Sequence, residues 1–296
     1  MIKLFTVILF FIVTGSFAQN DNIFDRLQAI NSDDATFYNI DGYTITSQTF
    51  NYSFTEKNLK KVYRKYSVKS KEVKVKDEQL SYNNYYINNQ DRITDSIVQN
   101  NAIYFVEDQE KRITIIQFSA INKSDKKFER AIIKPIIEYK IPKENFASIS
   151  IDSINFAGRK IKIESSCGWT NINTIQCPYN GEMNWSIHKE LEDAKNTIGQ
   201  QFTITKSKKS TKVLSEEIVD IVFEGANTKA KKVVYDLTGV TSLLASMSGG
   251  KTLTTYYVAT EVRGNYISCV LSFWNNDNIT KNGLPSLLEK VMELKK

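Results

Sequence analysis

The sequence predicts an α+β fold in two domains of related topology, each an antiparallel sheet packed with amphipathic helices. Three observations point there. Strand-like runs are bounded by turn dipeptides such as Asp41-Gly42, a strong two-residue hairpin signal. Two segments, NYSFTEKNLKKVYRKY from Asn51 and NWSIHKELEDAKNTI from Asn184, align with one gap. Each leads from a strand-ending aromatic into apolar positions spaced as on one helix face. The order of elements around these segments is also the same in both halves, as an internal repeat requires.

Residues 1–18 are expected to form a cleavable signal peptide. Lys3 supplies the positive start, Leu4 to Val13 the apolar run, and Ser16 and Ala18 the small residues of a cleavage site. The run is shorter than the ~20 residues a membrane span needs. The remainder divides into an N-terminal domain over 19–143 and a C-terminal domain over 144–296.

In the first, strands over 36–40 and 43–50 flank Asp41-Gly42. A helix follows, with Leu59, Val62, Tyr63 and Tyr66 on its inner face and Ser53 and Glu56 placed for a capping box. Strand-like runs come next at 80–87, 102–106 and 112–121. Phe128, Ile132 and Ile136 open a second helix, which Pro135 should kink or end. Residues 147–165 add a hairpin around Ala157-Gly158. In the second domain, strands over 172–176 and 183–187 precede a helix through Leu191, Ala194 and Ile198. Strands follow at 217–223, 231–236, 253–262 and 266–274. Leu284, Leu287, Leu288, Val291 and Leu294 then trace a terminal amphipathic helix with Pro285 in its first turn.

This order over roughly residues 170–296, with an aromatic at Trp185 before a helix, resembles the PsbP-like and DcrB-like family of small secreted α+β sandwiches. The resemblance implies a curved antiparallel sheet covered by helices, and a non-enzymatic envelope or assembly factor. It carries over no functional residue.

The chain is 41% apolar and 11% aromatic, enough for real cores, and its net charge of +6 is too mild for a dedicated nucleic-acid binder. One stretch is denser. Lys57 to Lys76 holds a single acid, Glu72, among many lysines and arginines. If it is helical, Lys60, Lys61, Arg64 and Lys65 point outward. They then either contact an anionic surface or form a solvated face. Lys206, Lys208, Lys209 and Lys212 form a second cluster.

Cys167 and Cys177 read as a local disulfide in an oxidising compartment, and Cys269 as a buried thiol in an apolar strand. Trp169, beside Cys167, either contacts a ligand or packs over the disulfide. Trp185 and Trp274 read as core. The only histidine, His188, reads as a surface or capping residue. Three Cys and one His lack paired zinc-ligand spacing, so no metal, cofactor or catalytic set is expected. Ala245 to Thr252 fits a relaxed phosphate-loop pattern, but the following LTTYYVATEV reads as strand, so a hairpin loop is expected. Adjacent carboxylates such as Glu216-Glu217 and Asp33-Asp34 read as surface charge.

These features point to a secreted or periplasmic binding or interaction protein, whose partner is an envelope protein or polysaccharide. The alternative is an envelope hydrolase working through Asp and Glu carboxylates.

Overall fold

The structure is a computed structural model that describes residues 22–69, 72, 74–238 and 250–295. The signal-peptide segment and most of the phosphate-loop-like stretch lie outside the described residues. Among the described residues 49% are strand and 19% helix. The α+β expectation is therefore corrected to a sheet-dominated fold of two large sheets and one two-stranded sheet. Two causes are visible. Several strands run well past their apolar cores, and hairpins and extended chain cover surface that the sequence assigned to helices.

The first large sheet has the order β4(Asn84–Arg92), β5(Val98–Glu107), β6(Arg112–Ile121), β3(Tyr43–Ser53), β2(Thr36–Ile40), β1(Gln28–Asn31), β7(Phe146–Ala147). Neighbours are antiparallel except β1 and β7. Successive residues of a strand point to opposite faces. Here both faces are covered. Ile103, Phe105, Ile113 and Ile115 meet Leu59 and Val62 of α1(Glu56–Lys65). Ala102, Tyr104, Ile116 and Phe118 meet Ile132, Ile133, Ile136 and Ile137 of α2(Lys126–Ile137).

Helix α1 begins later than the expected capping box. Strand β3 runs through Ser53, so Thr55 takes the cap position and its hydroxyl accepts the Asn58 N–H at 3.4 Å. Asp125 caps α2, accepting from the N–H groups of Lys127 and Phe128 at 2.9 and 3.0 Å. That helix ends two residues past Pro135.

The second large sheet has the order β10(Gly168–Asn171), β11(Thr174–Cys177), β12(Gly181–His188), β16(Asn265–Trp274), β15(Thr252–Val262), β14(Ala226–Leu237), β13(Thr211–Phe223), β17(Met292–Leu294), all antiparallel. On one face α3(Leu191–Ser207) lays Ile198 and Phe202 over Val233, Tyr235 and Tyr257. On the other, the small sheet β8(Ser153–Phe156)–β9(Arg159–Lys162) and residues 284–292 pack on Met183, Trp185, Phe223 and Leu271. In both large sheets, the strand leading into a helix pairs with the last strand of the following meander: β3 with β6, and β12 with β16.

The terminal helix is a second correction. Only α4(Ser286–Glu289) is helical, and Met292–Leu294 then pairs with Ile221–Phe223 of β13. An edge strand leaves N–H and C=O groups unpaired, and β17 satisfies part of that row while burying Met292.

The disulfide Cys167–Cys177 is formed, and Cys269 is a free thiol buried within β16. No helix of the described residues is long and apolar enough to cross a membrane. Alkylation of the unfolded, unreduced protein is expected to label one cysteine by intact mass; three labels would refute the bridge. Replacing both Cys167 and Cys177 with Ala is expected to lower unfolding stability by about 3 kcal/mol, from loop-closure entropy alone.

Candidate functional site

Helix α1 carries the four basic residues singled out by the sequence. Each residue turns the helix by about 100°, so with Leu59 and Val62 inward the i, i+4 pairs fall on opposite flanks. Lys61 and Lys65 lie against β3, with their Nζ atoms 5.2 Å from the Tyr52 ring centre and 4.5 Å from that of Phe50. Lys60 and Arg64 line a cleft of about 750 Å³ with Phe54, Tyr63, Lys74 and Tyr85.

The cleft has an aromatic floor and a cationic rim. The rings of Phe54 and Tyr85 are parallel within 4°, their centres 6.2 Å apart. Lys74 Nζ lies 5.0 Å from the Tyr63 ring centre, within cation–π range. Burial pushes the Tyr63 phenol up to about 12, so it stays protonated. The single carboxylate in the lining, Glu56, hydrogen-bonds Lys60 across 2.8 Å, and this contact holds it below its usual range. Flat rings offer apolar contact area, while Lys60, Arg64 and Lys74 offer donors to anionic groups. The sequence showed the cations but not the floor. Its one signal was Tyr85-Tyr86, since consecutive strand residues point to opposite faces.

The other sequence-level candidates do not converge on this cleft. Trp169 is half-buried, its ring 5.8 Å from that of Trp185, and its indole N–H donates to the Ser148 carbonyl at 3.0 Å. In the second lysine cluster, Lys206 pairs with Glu216 at 3.6 Å. Glu216 and Glu217 diverge on β13 toward Lys231 and Lys232, at 2.9 and 2.8 Å. At the end of the phosphate-loop-like stretch, the N–H groups of Lys251 and Thr252 both donate to Asn275 Oδ1, at 2.7 and 2.9 Å, and β15 follows. Glu182 and Asp277 line a smaller cleft of about 310 Å³ with Tyr179 and Trp274. Burial raises both carboxyls above their usual range. No group of three or more His, Cys, Asp and Glu side chains among the described residues is placed to hold a metal ion.

His188 corrects its expectation as a surface or capping residue. It is 2% exposed, on the face of β12 that meets the first sheet. The Asp41-Gly42 turn inserts here, and the Asp41 N–H donates to the Ile187 carbonyl at 3.1 Å. Arg26 grips the Asp41 carboxylate at 2.9 and 3.1 Å, and Lys123 Nζ donates to the Asp41 carbonyl at 3.3 Å. His188 Nε2 lies 2.8 Å from Ser268 Oγ, while Nδ1 has no partner among the described residues. Burial is the main cause that lowers the imidazole to about 4, with Lys123 and Arg26 adding to it and Asp41 and Asp193 opposing it.

Comparison with protein-family models, curated proteins and solved structures finds no significant match to this chain.

The imidazole implies a pH dependence with a definite sign. Unfolded, it titrates near 6.5; folded, near 4. Between these values the unfolded chain binds a proton that the fold excludes. Stability is therefore full above about pH 6.5 and declines as pH falls toward 4, by about 3 kcal/mol at most. Urea unfolding at about pH 4.5 and about pH 7.5 is expected to show a smaller stability difference in His188→Gln than in the parent. An equal difference in both would refute the assignment.

Proposed function

We propose that this chain is a secreted cell-envelope binding protein that captures an acidic glycan in the cleft between α1 and β4. The observation that carries the reading is the cleft itself, with Phe54, Tyr63 and Tyr85 as floor and Lys60, Arg64 and Lys74 at the rim. Sugar rings present C–H faces that pack on aromatic rings, and uronate or phosphate groups pair with Lys and Arg. No His, Cys or Asp lines the cleft among the described residues, and its one carboxylate is tied to Lys60. That lining supports binding rather than catalysis. The disulfide fits an oxidising compartment, and the expected signal peptide leads to one.

One observation favours a second reading, a carboxylate hydrolase. Glu182 and Asp277 share a cleft, and burial raises both, the direction that favours an acid catalyst. Turnover of glycan or ester substrates by the parent, lost in Glu182→Gln, would establish it. Absence of turnover leaves binding.

The two flanks of α1 supply the decisive test. On a column of immobilised polyuronate, Lys60→Gln/Arg64→Gln is expected to weaken retention about tenfold or more. Lys61→Gln/Lys65→Gln is expected to lose less than about threefold, because those cations sit over β3 rings outside the cleft. Parent retention should fall steeply as salt rises. Equal losses from both pairs would assign the effect to diffuse charge. Unchanged retention in Lys60→Gln/Arg64→Gln would leave α1 as a solvated face.

A further inference from the structure

Another cleft, of about 230 Å³, lies between the two large sheets and shares no residue with the α1 cleft. Thr44, Gln99 and Ser119 line it from the first sheet. Asn184 and Ser186 of β12, with Thr197, Gln200 and Gln201 of α3, line it from the second. Every lining residue is uncharged, in a chain where 24% of residues are charged. Most of them carry an amide or a hydroxyl.

These groups are held in place from behind. Asn173, which is buried, donates to Ser186 Oγ at 3.0 Å and accepts from Asn184 Nδ2 at 3.1 Å. The same Nδ2 reaches Thr174 Oγ1 at 2.7 Å, and Asn184 Oδ1 accepts from Gln201 Nε2 at 3.2 Å. Across the cleft, Asn101 Oδ1 accepts from Gln99 Nε2 at 3.0 Å and Ser119 Oγ at 2.7 Å. One N–H of Gln99 and one of Gln201 are thus engaged, which fixes these two amides. Thr197 and Gln200 form no side-chain hydrogen bond among the described residues. Ile121 and Ile204 add a small apolar contact.

From this we infer that the cleft between the sheets is a binding site for a neutral carbohydrate unit. An anion finds no cation in the lining, and a cation finds no carboxylate. A sugar hydroxyl both donates and accepts, and a fixed amide presents one group of each kind to a pair of neighbouring hydroxyls. The ring's C–H face meets Ile121 and Ile204. The space equals that of about eight waters at ~30 Å³ each, the scale of one hexose. A ligand seated here touches both sheets, so it stabilises the whole chain by linkage.

The test is titration of the intact chain with glucose, galactose, mannose and N-acetylglucosamine, followed by NMR of the side-chain amides and by thermal unfolding. At least one sugar is expected to bind saturably, with Kd on the order of 1 mM. It should shift the Gln99 and Gln201 amide signals and raise Tm. Affinity should not change between about 50 and 500 mM salt, because no charge is engaged. Thr197→Ala/Gln200→Ala is expected to weaken binding about tenfold. Because these side chains make no internal hydrogen bond, that variant should fold, and near-isosteric Thr197→Val repeats the test with less disturbance. Lys60→Gln/Arg64→Gln should bind the sugar normally, so failure of the α1 reading and failure of this one are distinguishable. The assignment is overturned if none of the sugars saturates, if affinity falls with salt, or if the folded Thr197 and Gln200 variants bind as tightly as the parent.

Discussion

Both faces of both large sheets must be covered, and the rest of the structure depends on this. Residues 102–106 of β5, 113–116 of β6 and 255–258 of β15 are buried without a break. A strand buried on one side alternates apolar and polar residues, and one buried on two sides does not. At about 25 cal/mol per Å² of apolar surface, an uncovered face would forfeit several side chains' worth of stabilisation. Each face therefore needs its own cover. Helices α1 and α2 supply both covers in the first sheet. In the second, α3 supplies one, and the β8–β9 hairpin with residues 284–292 supplies the other. The cover need not be helical, which is why a chain with strong helix patterns folds mostly as sheet.

The same constraint decides what could be read in the sequence. The limits of β2 and β6 match the strand-like runs, because β-branched density and the Asp41-Gly42 turn are local signals. Helix α1 is legible because Leu59, Val62 and Tyr63 face the core while its other side is charged. The terminal segment misleads because apolar residues spaced three and four apart suit either an amphipathic helix or a strap that buries Leu284, Leu287, Leu288 and Met292 against a sheet. Only the open edge of β13 selects the strap, and an edge is a property of the assembled sheet. In the candidate site, the cations were visible as composition. Tyr85 was not, because its role depends on β4 lying beside α1.

Asp41 shows how much one turn can fix. Its carboxylate is held by Arg26, its N–H by the Ile187 carbonyl and its own carbonyl by Lys123. Gly42 sits at φ +77°, where a Cβ would come within 3.4 Å of Thr197 Oγ1 and 3.6 Å of His188 Cε1. The sequence signal for a hairpin is therefore also the contact that seats one sheet on the other. The Arg26 and Asp41 side chains are 12% and 6% exposed. Replacing Arg26 would strip the buried Asp41 carboxylate of this pairing, a loss of about 3–5 kcal/mol. The burial of His188 follows from this seating, and so does its preference for the neutral form.

The seam also explains why the two clefts differ in chemistry. Charged groups buried between sheets are costly unless each finds a partner, and at the seam Arg26 and Asp41 pair with each other. The remaining polar surface is built from amides and hydroxyls that satisfy one another across Asn173, Asn184, Ser186 and Gln201. Such a surface costs little to bury and little to leave wet. It therefore tolerates a neutral ligand and gives an ion no counter-charge. On α1 the balance is reversed. Lys60 and Arg64 are exposed and keep their hydration until an anion arrives, and the aromatic floor beneath supplies contact that does not weaken with salt. At these two clefts, then, the unpaired charge stands where water can reach it, and the space between the sheets is lined by uncharged hydrogen-bonding groups.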